Sequence, residues 1–236
     1  MTSAGAAQHF AHVRDWVFDL DNTLYPASCN LFAEIDHRMT SYVGELLGLG
    51  RDEAYRVQKD LYATHGTTLA GLMRQHDVDP HAFMEYVHAI DLSILEPAPD
   101  LRAAIAALPG RKFVHTNGSA QHAANVLGKM GLGDVIDDVF DVEMSGWVPK
   151  PRAENYDASG AHFGIDTQTT AMFEDMAVNL EEPHRRGMTT VLVTSDAEWI
   201  DSEPTKKRPG VAVAGAEHIH HTTGDLTRFL TGLIAG

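Results

Sequence analysis

Short apolar runs that stop at acidic or turn-forming residues alternate along most of the chain with amphipathic stretches. Trp16-Val17-Phe18 ends in Asp19-Leu20-Asp21-Asn22-Thr23, which predicts a buried strand running into a loop. From Leu31 to Asp91 the period changes. Leu31, Ile35, Met39, Tyr42 and Val43 recur at helical spacing, Leu46 and Leu47 continue that face, and Gly48 and Gly50 end it. Further helices are predicted near 52–63, 68–76 and 80–90, with no strand among them. Beyond Pro97 and Pro99 the alternation resumes, with helices predicted over 101–108, 120–130, 153–163, 179–186 and 225–234. Strands are predicted between them, over 112–115, 139–142, 170–173 and 190–193. Such alternation implies a mostly parallel sheet covered on both faces. The expected architecture is therefore a doubly wound α/β core, residues 1–25 and 96–236, interrupted at 26–95 by an all-helical insert. The polar, proline-containing stretch 195–210 reads as a surface excursion.

Length and charge narrow the partners. At 236 residues the chain suits one large domain, or one domain carrying a smaller insert. Its formal net charge of -15 makes it a poor ligand for nucleic acid polymers, whose binding needs clustered Lys and Arg. The short basic cluster Lys206-Lys207-Arg208, between Pro204 and Pro209, reads as a solvated loop. The single cysteine, Cys29, excludes an internal disulfide and a multi-cysteine zinc site. The N-terminus lacks a basic leader with an apolar stretch, and no apolar run approaches the roughly 20 residues that span a bilayer. A cytoplasmic protein with no membrane partner is expected. His218-x-His220-His221 has no neighbouring carboxylate or cysteine pattern and reads as a polar strand end or loop.

Ligands of open α/β sheets bind beyond the carboxyl ends of the strands. Four polar clusters fall at or near such ends: Asp19/Asp21/Thr23, Thr116/Asn117, Lys150 and Glu174/Asp175. Residues i and i+2 at a strand end point the same way, so Asp19 and Asp21 can face one pocket. Their mutual repulsion is relieved by a divalent cation, and Mg2+ suits an oxygen site that also holds a substrate phosphate. Asp175 supplies a further oxygen. Phosphoryl transfer needs a nucleophile, charge neutralisation and a proton donor for the leaving oxygen. Asp19 can attack phosphorus, and Asp21 can protonate the leaving alkoxide and later deprotonate water. The Thr116 hydroxyl and nearby N–H groups, including those around Asn117, can hold phosphoryl oxygens. Lys150 can neutralise Asp19 and stabilise transition-state charge. Each cluster alone also reads as a cap or turn. Their order, with three directly after a strand, is what points to chemistry.

At these residues the sequence resembles the haloacid dehalogenase-like superfamily of hydrolases. The matching segments are Phe18-Asp19-Leu20-Asp21-Asn22-Thr23-Leu24-Tyr25, Thr116-Asn117-Gly118, Lys150-Pro151 and Phe173-Glu174-Asp175-x-x-x-Asn179. The resemblance implies a Rossmann-like core, an aspartyl-phosphate at Asp19 and a mobile helical cap inserted after the first segment. It also implies Mg2+ ligation by Asp19, the Asp21 main-chain carbonyl and Asp175. Two departures stand out: His115 where an apolar residue is usual, and Asn179 where many relatives carry Asp. True dehalogenases of the superfamily work without magnesium and lack the second aspartate, so Asp21 argues for phosphoryl chemistry.

A narrower resemblance, to the pyrimidine 5′-nucleotidase group, rests on Asp19–Pro26, on Tyr62-x-x-His65-Gly66 with Gly71-Leu72, and on Val148-Pro149-Lys150-Pro151. It implies a nucleoside monophosphate substrate such as UMP or CMP. A cap that closes over the core brings its side chains to the leaving group. Tyr25, His65, Thr67 and Thr68 are the candidates for specificity, with capping or hinge packing as their plainer roles, and Trp147 shares that ambiguity. Other readings remain: a phosphatase of phosphoglycolate or sugar phosphates, a phosphohexomutase, or a ligand-binding module without activity.

Overall fold

The computed structural model describes residues 3–202, 208–211 and 215–235. Six strands form one parallel sheet: β1 (Asp15–Phe18), β2 (Arg111–His115), β3 (Asp138–Phe140), β4 (Thr170–Glu174), β5 (Thr189–Val193) and β6 (His221–Thr223). Their spatial order is β3-β2-β1-β4-β5-β6. The first strand is thus central, and its neighbours β2 and β4 lie in register with it: Phe18 is level with Val114 on one side and Phe173 on the other. The pleat sends alternate side chains to opposite faces. Trp16, Phe18 and Phe173 join one apolar cluster, while Val17, Phe113 and Met172 join another on the reverse face. Both faces are therefore buried, as a parallel sheet requires, and the chain is α/β with a Rossmann-like core.

Helices cover both faces: α1 (Ser3–Phe10), α6 (Pro99–Ala107), α7 (Ala120–Met130), α8 (Ala153–Phe163), α9 (Glu181–Arg185) and α10 (Leu226–Ile234). Between β1 and α6 lie four helices, α2 (Leu31–Leu47), α3 (Arg51–His65), α4 (Thr68–His76) and α5 (Pro80–His88). They pack around a second apolar cluster that includes Ile35, Val43, Leu61, Leu72, Phe83 and Val87, joined by Val142 from beyond β3. Local chemistry sets their ends. Gly48 and Gly66 end α2 and α3 at φ 67° and 93°, a region open to glycine. The Thr67 hydroxyl caps α4 by accepting from the Ala70 N–H (3.1 Å), and Asp79 caps α5 ahead of Pro80. Gly71 lets α4 press onto α3: a Cβ there would sit 2.7 Å from Leu61 Cδ2.

Several elements differ from the sequence expectation. The stretch 179–186 is not one helix but a 3-10 turn, Ala177–Leu180, followed by α9. The third strand ends at Phe140 rather than Val142, because the Asp141 carboxylate leaves the ladder to accept the N–H groups of Ala120 (2.8 Å) and Met144 (3.0 Å). Helix α1 is additional. It places Phe10 almost parallel to Trp16, ring centroids 5.9 Å apart. The His218–His221 stretch leads into edge strand β6, where the His220 ring accepts from the Thr190 N–H (3.0 Å). Lys206 and Lys207 fall outside the described residues. Among the described residues, no helix is long and apolar enough to cross a membrane.

Candidate active site

The three central strands deliver their chemistry to one edge. Asp19 follows β1, its N–H donating to the Phe173 carbonyl (2.9 Å). Thr116 follows β2, and Glu174 closes β4 with Asp175 next. The Lys150 side chain reaches the same spot. Its buried Nζ donates to Asp19 Oδ1 (2.7 Å), Glu174 Oε1 (2.9 Å) and the His115 carbonyl (2.8 Å). All three ammonium donors are therefore used. The Lys150 backbone is fixed as well: Asn117 accepts from its N–H (2.8 Å) and donates to its carbonyl (3.3 Å). The Asn117 side chain is thus a clamp on Lys150, which leaves only its main chain for phosphate. Thr116 Oγ1 accepts from the Gly118 N–H (2.9 Å) at the rim of the cleft.

Electrostatics leave this edge short of positive charge. Asp19, Glu174 and Asp175 each place a carboxylate oxygen within 4.8 Å of the others, all buried. Among the described residues, Lys150 is the one cation bonded within the group. Burial and the Glu174 charge push Asp19 up to about 7, against the pull of Lys150. Asp175 is raised well above the carboxylate range by burial, by Glu174 and by Asp19. Glu174 moves the other way. Burial opposes its charge, but Lys150, Asp175 and the Met176 N–H (2.6 Å) hold it low. Asp175 and Glu174 are thus shifted in opposite directions within one buried carboxylate pair. Three buried carboxylates facing one lysine are one cation short. The donors are hard oxygens, which fits Mg2+. Glu174 is committed to Lys150, Asn179 and the Met176 N–H, so Asp19 and Asp175 are the side chains left to bind it.

A family model described as haloacid dehalogenase-like hydrolase matches residues 16–182. The chain belongs to the haloacid dehalogenase-like hydrolases. Phosphate metabolism protein 8 of Saccharomyces cerevisiae is 24% identical over 204 residues, covering 79% of this chain. The match spans 63% of that relative, less than two thirds of its length. Among solved structures, L-2-haloacid dehalogenase from Xanthobacter autotrophicus superposes with a TM-score of 0.60 at 17% identity, covering 95% of this chain and 99% of its own. CbbY from Rhodobacter sphaeroides, in complex with phosphate, gives 0.60 at 18% identity, covering 94% and 99%. A HAD phosphatase from Thermococcus onnurineus gives 0.58 at 14%, covering 93% and 97%. These likenesses establish the haloacid dehalogenase-like fold.

Within that fold Asp21 is held apart from the carboxylate group. Its Oδ1 accepts from the Tyr25 hydroxyl (2.6 Å) and pairs with His122 Nε2 (2.8 Å). Burial raises its pKa, but the charge and hydrogen bond of His122 and the hydrogen bond of Tyr25 win and bring it to about 2. His122 itself is raised: burial works against its charge, and Asp21 overcomes it. The resting pair thus keeps its proton on the imidazole. His88, from the end of α5, lies flat on His122 with centroids 4.2 Å apart and an 8° tilt. Burial and the His122 charge bring His88 down to about 3, so it is neutral.

The specificity candidates separate. Thr67 and Thr68 line the cleft together with Asp19 and Lys150. Tyr25 does not: it is 1% exposed and its hydroxyl is engaged by Asp21. His65 is not among the lining residues either, and its Nε2 lies 2.8 Å from the Gln75 amide nitrogen on the outer side of α4. Trp147 does line the cleft, edge-on to His81. The unusual His115 is neutral and structural. Burial and the Lys150 charge hold its pKa well below the usual range, and its Nε2 pairs with Asn155 Oδ1 (2.6 Å). Asn179 donates to Glu174, the acceptor it shares with Lys150. Sequence reading missed His122, His88 and Gln58. His122 meets Asp21, 101 residues away, and His88 meets His122 only through the fold. Gln58 carried a signal, being a polar residue on the apolar face of α3 between Ala54 and Leu61.

Proposed function

We propose that this hydrolase is a magnesium-dependent phosphomonoesterase that acts through an aspartyl-phosphate at Asp19 and releases nucleosides from pyrimidine 5′-monophosphates. The observation that carries this reading is the Asp19/Asp21 pair: two carboxylates two residues apart, one held by Lys150 at the cation-deficient edge, the other held by His122 away from it. A halide leaves carbon without a proton, whereas an alkoxide leaving phosphorus needs one. A dedicated proton-handling carboxylate therefore favours phosphate esters over the carbon–halogen bonds of the dehalogenase neighbours.

Asp19 Oδ1 is fixed by Lys150, and its Oδ2 accepts from Thr23 (3.1 Å). The carboxylate can attack a phosphoryl group held by the Thr116 hydroxyl and the Asn117 N–H. Bound magnesium supplies charge neutralisation for the phosphoryl oxygens and Asp19. Asp21 passes the proton held by the His122 pair to the leaving oxygen. With the pair's proton spent, Asp21 takes a proton from the water that hydrolyses the aspartyl-phosphate, which restores the pair. Lys150 stays charged throughout, and burial in a dry site strengthens its effect.

The test is phosphate release from UMP, CMP, AMP, phosphoglycolate and glucose phosphates, each with Mg2+ and with EDTA. Preference for UMP and CMP that vanishes in EDTA supports the reading. Mg2+-dependent release from the small metabolites keeps the chemistry and discards the nucleotide. Phosphoryl return to a second sugar hydroxyl would make the protein a mutase.

A further inference from the structure

The cleft extends from Asp19 into the α2–α5 helices, where its walls are apolar: Phe32, Met39, Leu69, Met84 and Trp147. Polar side chains interrupt them, Asp36, Lys59, Thr67 and Thr68 among them, and one is Gln58. Gln58, on α3, is 2% exposed. Its Nε2 donates to Asp36 Oδ1 (3.0 Å) and to Thr68 Oγ1 (3.2 Å). Asp36 Oδ1 also accepts from Lys59 Nζ (3.0 Å). These partners settle the orientation of the amide, because a flip would turn its carbonyl onto the Asp36 carboxylate. The consequence falls on Gln58 Oε1, which is buried and has no hydrogen-bond partner among the described residues. A buried acceptor left alone is costly, and natural structures rarely leave one without a reason. Gln58 lines the same cleft as Asp19 and Thr116.

We infer that Gln58 Oε1 is the specificity acceptor of the site, receiving an N–H from the leaving group while the apolar walls take a flat ring. The chemistry that satisfies it is a planar heterocycle with an N–H on the edge remote from the phosphate. The imide of uracil and the amine of cytosine both offer one. This deepens the nucleotide reading above and rests on the phosphoester chemistry proposed there. A hydrogen-bonding site of this kind discriminates strongly against a ligand lacking the donor, since the acceptor is then left unpaired.

The experiment compares kcat/KM of the full-length protein and of Gln58→Met, with Mg2+, on UMP, N3-methyl-UMP, p-nitrophenyl phosphate and glucose 6-phosphate. The wild type should prefer UMP over its N-methyl analogue by about 10- to 100-fold. Gln58→Met should lose that preference and keep p-nitrophenyl phosphate hydrolysis within about threefold, which also shows that the variant folds. Equal wild-type rates on UMP and N3-methyl-UMP overturn the assignment, whatever the variant does. So does a variant that keeps the wild-type preference, or one that loses UMP and p-nitrophenyl phosphate alike; in each case the nucleotide reading survives. If nucleotides are inert but glucose 6-phosphate is hydrolysed and loses about tenfold in Gln58→Met, the nucleotide reading falls and the acceptor role stands. A wild type inactive on every ester sinks both.

Discussion

Replacing Asp175 with Asn should make the metal-free protein more stable while disabling it. In the metal-free molecule Asp175 is buried beside Glu174 and Asp19, and its carboxyl is raised well above the usual range. A carboxyl whose folded pKa is raised binds its proton more tightly in the native state than in the unfolded chain. Its stabilising contribution is complete below the unfolded pKa of about 4 and is lost as pH rises through the folded value. At pH 5, about one unit above that unfolded pKa, the Asp175→Asn substitution should already gain about 1.4 kcal/mol. At pH 8 it should relieve the penalty of an uncompensated buried carboxylate, about 2 kcal/mol. For a chain of this size that is roughly 4–8 °C in Tm. In wild type, magnesium at a hundred times its Kd should add about 2.7 kcal/mol, or roughly 5–11 °C, and Asp175→Asn should lose most of this. Thermal denaturation in EDTA and in Mg2+, at pH 5 and pH 8, reads all four states. A variant less stable than wild type in EDTA at pH 8, or one still stabilised fully by Mg2+, would refute the one-cation-short account of the site.

Lys150→Met should strand two buried carboxylates and cost about 3–5 kcal/mol, seen as a lowered Tm in EDTA, with phosphatase activity lost. His122→Ala frees Asp21 Oδ1 from one of its two anchors. Its kcat/KM should fall about 10- to 100-fold on alkyl phosphates and much less on p-nitrophenyl phosphate, whose leaving group needs little protonation; equal losses would assign His122 a purely structural role. Phe173→Ala removes the ring packed against Phe10, Trp16 and Phe18 at the sheet centre. It should cost about 3–5 kcal/mol in denaturant titration, with no shift in substrate preference.

Where local pattern and tertiary demand agree, the chain is readable in advance. Helices over 68–76, 120–130 and 153–163 coincide with the observed bounds because caps at Thr67 and Ser119 and left-handed ends at Asp77, Gly131 and Gly164 lie in the sequence itself. Asp19, Thr116 and Asp175 are legible for a related reason: strand ends in this topology converge, so order along the chain predicts proximity. Helix α1 escapes because it offers a single large apolar residue, Phe10, whose partners are 6 residues away at Trp16 and 163 away at Phe173. His122 and Tyr25 escape because their partnership with Asp21 depends on where α7 and the first loop meet. Tyr25 beside the first aspartate invited a substrate role, yet burial commits it to Asp21.

The chain leaves the sheet from its central strand rather than from an edge. The two connections to the helical insert are pinned where they depart and return, Leu24 and Tyr25 on one side and Leu95 on the other, all packed into the main apolar cluster. The insert packs around another apolar centre, which Val142 joins from the core. Strand register and the carboxylate–lysine edge are therefore settled before the insert begins and after it ends. On the function proposed above, what the molecule hydrolyses and how it hydrolyses are separable traits. Helices α2–α5 are the part of the gene in which a change of diet can be written without rewriting the chemistry.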